Sequence, residues 1–268
     1  MIRKLFLLFA FGLFSLGIYG QETLAYKSKL QTRLLFGTNI PITKLLQGTE
    51  TDYLLQYDDN SFYWQIISIS YFFHKHWGLE FNYQAGTSNR IRQRGDNFME
   101  SVQSMYSENY FVRPRTGAIY NDNFFAGDIS RGYLGVIYRF ETNKFYVYPK
   151  FAIGLTSIFT SWGSADLKEK NSNNEHTISY LNKNRRNTGA LANATDFFTF
   201  APSISLGYKI TKRFYFNADI MFSHFKTNIV YEKTFKNLYT NESTVEHFDY
   251  KKGVSTLSLG AGLIFIIR

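Results

Sequence analysis

Cysteine is absent from the 268 residues and proline occurs only 4 times, so disulfide scaffolds, thiol catalysis and Cys-ligated zinc are excluded. Long hydrophobic runs are missing beyond the N-terminus; the longest, Leu263 to Ile267, is far too short to span a membrane as a helix. With 44% apolar residues and a mean hydropathy of −0.24, a bundle of membrane helices is excluded too. Aromatic residues are abundant instead: 27 Phe, 20 Tyr and 3 Trp make up 19% of the chain, which is incompatible with disorder. The formal charge is +9.

The first residues predict the compartment. Met1-Ile-Arg-Lys4 is basic, Leu5 to Ile18 is apolar, and Gly17-Ile-Tyr-Gly20 supplies small residues, the order of a secretory signal peptide with cleavage near Gly20. Residues 1–20 are therefore expected to be the signal peptide and 21–268 a single domain. An uncleaved anchor is disfavoured, because the apolar run falls short of the ~20 residues that a spanning helix requires. No cysteine follows the run, so no lipoprotein anchor is expected.

The rest of the chain alternates. From Phe198 to Ile210, Phe198, Phe200, Pro202, Ile204, Leu206, Tyr208 and Ile210 share one face; Thr199, Ala201, Ser203, Ser205, Gly207 and Lys209 share the other. The same period of two runs through Phe145–Phe159 and Phe214–Phe222. Eight segments of this kind lie near 29–42, 61–73, 77–87, 129–140, 145–161, 197–210, 214–229 and 252–267. Tight polar joints (His74-Lys75-His76, Glu141 to Lys144, Thr211-Lys212-Arg213) alternate with long connections near 43–60, 88–128, 162–196 and 230–251. Short turns on one side and long loops on the other predict an all-β fold: an antiparallel, up-and-down transmembrane barrel of eight strands with an apolar exterior. Hydrocarbon requires closure, since an open sheet edge would leave backbone groups unpaired. A soluble sandwich or lipocalin-like barrel would need polar outer faces that these strands do not offer.

Local deviations carry their own expectations. Pro149 and Pro202 fall inside strands and predict bulges or distortion. Adjacent Ile66 and Ile67 break the phase of Phe62–Phe73 and predict a register shift. A hairpin around Pro114 in Glu108–Tyr120 would raise the strand count to ten, the structural alternative. Asp96 to Met105 has the cap and spacing of a short helix, with Met99, Val102 and Met105 on one side.

The final strand, Val254 to Arg268, places Ser258, Gly260, Leu263 and Phe265 at the polar, glycine and apolar positions of a barrel-assembly signal. In this, and in its overall pattern, the chain resembles small bacterial outer-membrane β-barrels of the OmpA-like transmembrane type. That resemblance implies recognition by the barrel-assembly machinery and residence in the outer membrane of a Gram-negative bacterium. The chain departs from it by running past Phe265 to Arg268 rather than ending on an aromatic residue.

Aromatic girdles are expected at both interfaces: Phe72, Phe73, Trp77, Phe140, Phe145, Tyr208, Phe214 and Phe265 near the tight turns, and Phe62, Trp64, Phe159, Trp162, Phe197, Phe198 and Phe222 near the long loops. Arg33, Glu80, Arg139, Lys150, Lys209 and Asp219 are expected to face the lumen, where buried charge must be paired or hydrated. They would form either a closed polar core, favoured for eight strands, or a narrow anion-preferring water path. The basic loops (Arg90, Arg92 and Arg94, with Arg113, Arg115, Arg185 and Arg186) and Lys226 predict contact with lipopolysaccharide phosphate.

No catalytic constellation stands out, and no enzyme, metal or cofactor is expected. His74 and His76 lack a third ligand nearby. Ser223 and His224, as strand neighbours, point to opposite faces and cannot act as nucleophile and base. Asn193-Ala-Thr and Asn241-Glu-Ser match glycosylation acceptors by chance. Nucleic acid is not an expected partner. The sequence thus predicts a non-enzymatic barrel anchoring long surface loops for binding, adhesion or envelope support. A lipid A deacylase-like enzyme and a narrow passive pore are the alternatives.

Overall fold

The computed structural model describes residues 30–43, 61–88, 94–116, 129–159, 163–184 and 194–267. Their elements are β1 (Leu30–Pro41), β2 (Ser61–Phe72), β3 (Trp77–Ser88), α1 (Arg94–Tyr106), β4 (Tyr110–Thr116), β5 (Ile129–Tyr138), β6 (Phe140–Glu141) and β7 (Phe145–Phe159). There follow β8 (Gly163–Glu169), β9 (Glu175–Asn182), β10 (Ala194–Lys209), β11 (Phe214–Lys226), β12 (Ile229–Asn237), β13 (Ser243–Tyr250) and β14 (Gly253–Ile267).

Eight strands close on themselves, all antiparallel, in the order β1-β2-β3-β5-β7-β10-β11-β14, with β14 pairing back onto β1. Closure pairs Leu30 with Ile267 and Pro41 with Thr256 along the whole length of β1. The count is eight, not the alternative ten. β6 continues the line of β5 after a break at Arg139, in unchanged register against β7.

Alternation assigns the two faces. Along β11, Tyr215, Asn217, Asp219, Met221, Ser223 and Phe225 are buried in the lumen, while Phe214, Phe216 and Ile220 are exposed on the outside. Leu206, Phe200, Phe151, Ile153, Leu134, Phe81 and Leu79 join the same exposed apolar belt. Such a continuous apolar exterior around a polar interior is unstable in water and stable in hydrocarbon.

Register shifts fall where adjacent apolar residues break the phase. β2 shifts against β3 between Trp64 and Ile67, so Ile66 and Ile67 both remain outside. Of the bulges or distortion expected at the two prolines, the distortion is present and a bulge is not. Pro149 pairs with Ile204 and Pro202 with Phe151 in one unbroken register, without a bulge. The disturbance lies on each proline's other side: the β10–β11 ladder skips from Phe200 to Ser203, and the β5 ladder stops at Lys150 before resuming through β6. A missing N–H costs only the bond on the side to which it would point.

Among the described residues, three of the long connections carry regular structure. Residues within 162–196 form β8 and β9, and those within 230–251 form β12 and β13. Together with β4 they make a second antiparallel sheet in the order β13-β12-β9-β8-β4. The expected Glu108–Tyr120 hairpin contributes the single strand β4, paired to β8 and outside the barrel. The expected helix exists as α1, with Val102 buried and Met105 exposed. Most of the 43–60 connection lies outside the described residues.

Two girdle assignments are corrected. Phe72 and Phe197 are buried inside, because each occupies the inward phase of its strand. Phe73, Trp77, Phe145, Tyr208 and Phe214 are exposed near the turns, and Phe62 and Phe198 near the opposite end. Trp162 lies outside the described residues.

Candidate functional site: the filled lumen and the outer rim

The lumen is filled in layers. Nearest the short turns, Phe72, Ile137, Tyr146, Tyr148, Tyr215, Ile264 and Ile266 pack as one buried cluster. The Arg139 guanidinium lies 4.1 Å over the Phe72 ring and donates to the Lys75 carbonyl at 2.9 and 3.0 Å. Lys209 pairs with Glu141 at 2.7 Å, and the Tyr148 hydroxyl donates to the same carboxylate. One methyl-free position permits this packing: a Cβ at Gly207 would collide with the Tyr146 ring and the Phe216 carbonyl oxygen.

The next layer is ionic. Arg33, only 2% exposed, lies 3.0 Å from Glu80 and 3.8 Å from Asp219. Lys150 bridges the same two carboxylates at 3.2 Å each. Ser70 donates to Glu80 at 2.9 Å, and Ser205 donates to Asp219. Two cations and two anions thus alternate across the barrel, drawn from β1, β3, β7 and β11. Each charge is compensated on more than one side, the condition under which buried ions are tolerated.

Above it lies a hydrogen-bonded polar layer. Arg131 donates to Asn39 at 2.8 Å, Ser258 donates to the same Asn39 oxygen at 2.6 Å, and Asn39 donates to Ser61 at 3.1 Å. Gln84 donates to Gln65 at 3.3 Å, and Thr199 to Thr156 at 2.7 Å. The barrel's far end is apolar: Ile129, Ile158, Phe197, Phe225 and Val254 form one core with Ala165, Leu167, Ile178, Tyr180 and Tyr231 of the second sheet and Val102 of α1.

All six residues expected to face the lumen lie on its inner side, split between two groups: Arg33, Glu80, Lys150 and Asp219 in the ionic layer, Arg139 and Lys209 around Glu141. Glu141 was missed, since it reads as part of a polar turn. Arg131 was missed as well; its inward phase in Ile129–Tyr138 was the available signal. Of the residues expected to form an assembly signal, Ser258 is buried against Asn39, Leu263 is exposed on the outer face, and Gly260 sits against the Tyr63 hydroxyl.

The basic residues separate. Lys226 is exposed at the end of β11, and Arg113 is exposed on β4. Arg94 opens α1, while Arg90, Arg92, Arg185 and Arg186 lie outside the described residues. Ser223 and His224 do diverge: Ser223 is buried in the lumen, and His224 turns outward. The partner of His224 is Ser255 on β14, with Nδ1 2.9 Å from Oγ. Only the strand register brings them together. His76 stacks on Tyr138 at 5.4 Å, and among the described residues no cluster suited to a metal is present.

A closed eight-strand barrel, apolar outside and ion-paired inside, defines the class: this is the architecture of the small bacterial outer-membrane β-barrels. Solved structures similar to the chain include a major outer membrane protein from Thermus thermophilus, at 9% identity and a TM-score of 0.40 over 90% of this chain and 100% of that one. Another is the outer membrane protein AlkL in DMPC bilayers, at 12% identity and 0.31 over 93% and 95%. A third is the outer membrane protease OmpT of Escherichia coli, at 10% identity and 0.32 over 92% and 99%. No protein-family model matches the sequence, and no curated protein matches it.

Proposed function

We propose that this chain is a non-enzymatic anchor in the outer membrane of a Gram-negative bacterium, with a plugged barrel that holds a folded extracellular sheet as a binding surface. One observation carries the reading: the described parts of three long connections meet in a single five-stranded sheet whose core is continuous with the barrel mouth. A pore has no use for an apolar core across its entrance, whereas a presented surface needs a rigid support. The ionic and aromatic layers below support the same reading. Adhesion and envelope support are two uses of such a surface.

Planar-bilayer recording on the full chain tests the anchor, and proteolysis of intact cells tests the presentation. The expected results are no stepwise conductance, together with cleavage from outside at a protease site inserted beside Thr240, in the turn between β12 and β13. Stable ohmic channels from pure protein, protection of that site in intact cells, or a lipid-modifying activity abolished by His224→Ala would overturn the reading.

A further inference from the structure

Where the apolar belt ends, the outer face of β11 and β14 changes character within one residue pair. Phe222 faces Leu257, the next outward pair is His224 with Ser255, and the one beyond is Lys226 with Gly253. The belt thus meets a small polar patch at the end of the barrel that carries the second sheet.

Either tautomer of His224 leaves that patch a hydrogen-bond donor. If Ser255 donates to Nδ1, the ring carries its proton on Nε2 and can donate there; if Nδ1 donates to Oγ, the serine hydroxyl is released to donate. Among the described residues no carboxylate pairs with Lys226 and no hydrogen bond reaches His224 Nε2. Gly253 keeps the notch between them open, since a Cβ there would stand 3.1 Å from His224 Cε1. Phe198 and Phe200 flank the patch on β10, with Phe200 paired directly to His224.

From this juxtaposition we propose that His224, Ser255 and Lys226 form a lipid-facing site for the phosphate of an outer-leaflet glycolipid, with its acyl chains lying on Phe200, Phe222 and Leu257. The chemistry is complementary at each depth: an ammonium and a neutral donor for phosphate oxygens, and apolar rings directly below for hydrocarbon. The choice of a glycolipid rests on the outward orientation of the long connections in the reading above; the phosphate chemistry does not.

Native mass spectrometry of the full chain in detergent tests the site. The probes are bisphosphorylated lipid A, the same lipid after phosphate removal, and phosphatidylglycerol. The bisphosphorylated lipid is expected to be retained, and the Lys226→Ala/His224→Ala double variant to lose it by about tenfold, the scale of one charge-assisted hydrogen bond. Lys226→Arg with His224→Gln should restore retention, and Lys212→Ala in the opposite turn should leave it unchanged. The difference in gel migration between boiled and unboiled samples verifies that each variant is a closed barrel. Undiminished retention by the folded double variant, or equal retention of the dephosphorylated lipid, would overturn the site. Equal retention of phosphatidylglycerol would overturn the glycolipid assignment, while leaving the anchor reading to its own test.

Discussion

Lys150 is the residue on which the ionic layer turns, because it alone joins Glu80 to Asp219 from the side opposite Arg33. Removing its charge leaves two buried carboxylates sharing one guanidinium. Breaking a buried ion group from one side is far more damaging than replacing the whole group, because an uncompensated charge stays behind. Lys150→Met is therefore expected to destabilise the barrel by about 3–5 kcal/mol, read as a lower denaturant midpoint for unfolding from vesicles. Combining it with Glu80→Gln should recover part of the loss, since charge balance around Asp219 and Arg33 returns. A single variant as stable as the parent would show that the layer is not tightly coupled.

At the scale of the element, the β8–β9 hairpin is secured by one carboxylate at its turn. Glu169 accepts hydrogen bonds from Ser172 and from Asn174, and lies 2.8 Å from His176 Nε2. The Ser172 bond first, and His176 next, hold its carboxyl below the ordinary glutamate range. A carboxylate whose pKa is lowered on folding stabilises the fold above the ordinary range and loses that contribution as pH falls through the lowered value. Amide protection in the hairpin, taken as the intrinsic exchange rate at each pH relative to the observed rate, is expected to fall on acidification below the ordinary glutamate range, more weakly at high salt because the group is exposed. In Glu169→Gln the protection should be lower at neutral pH and largely insensitive to that acidification. An unchanged acid response in the variant would assign the effect elsewhere.

These elements also mark where the sequence stopped being readable. The alternation of Phe198–Ile210 and Phe214–Phe222 reports a face against hydrocarbon, a signal strong enough to place strands, turns and lumen residues directly. The hairpins of the second sheet carry a weaker signal. Asp166, Lys168 and Glu169 in β8 leave little of an apolar face, and the Lys170–Asn174 turn reads as loop; the burial of Leu167 and Ile178 depends on a barrel mouth contributed by distant segments. Glu141 and Ser255 were invisible for the same reason. Each acquires its role from a strand register, pairing Glu141 beside Lys209 and Ser255 beside His224, that no local pattern encodes.

For the molecule as a whole, the apolar belt and the second sheet pose one question of solvent. Leu134, 58% exposed on the outside of β5, and Val245, 48% exposed on β13, are similarly uncovered. In water the two would respond alike to a charge, and surface substitutions of this kind cost little. In a bilayer they differ, because Leu134 lies within the belt between Phe81 and Ile153, while Val245 belongs to the sheet beyond it. Leu134→Arg is expected to destabilise the folded barrel in vesicles by about 2–4 kcal/mol, the cost of an arginine near the bilayer midplane. Val245→Arg should fall within about 0.5 kcal/mol of the parent. Folding titrations of both variants in the same lipid measure the difference directly. Equal effects would mean that hydrocarbon does not surround the belt, and a greater loss for Val245→Arg would place the second sheet, not the barrel wall, against an apolar phase.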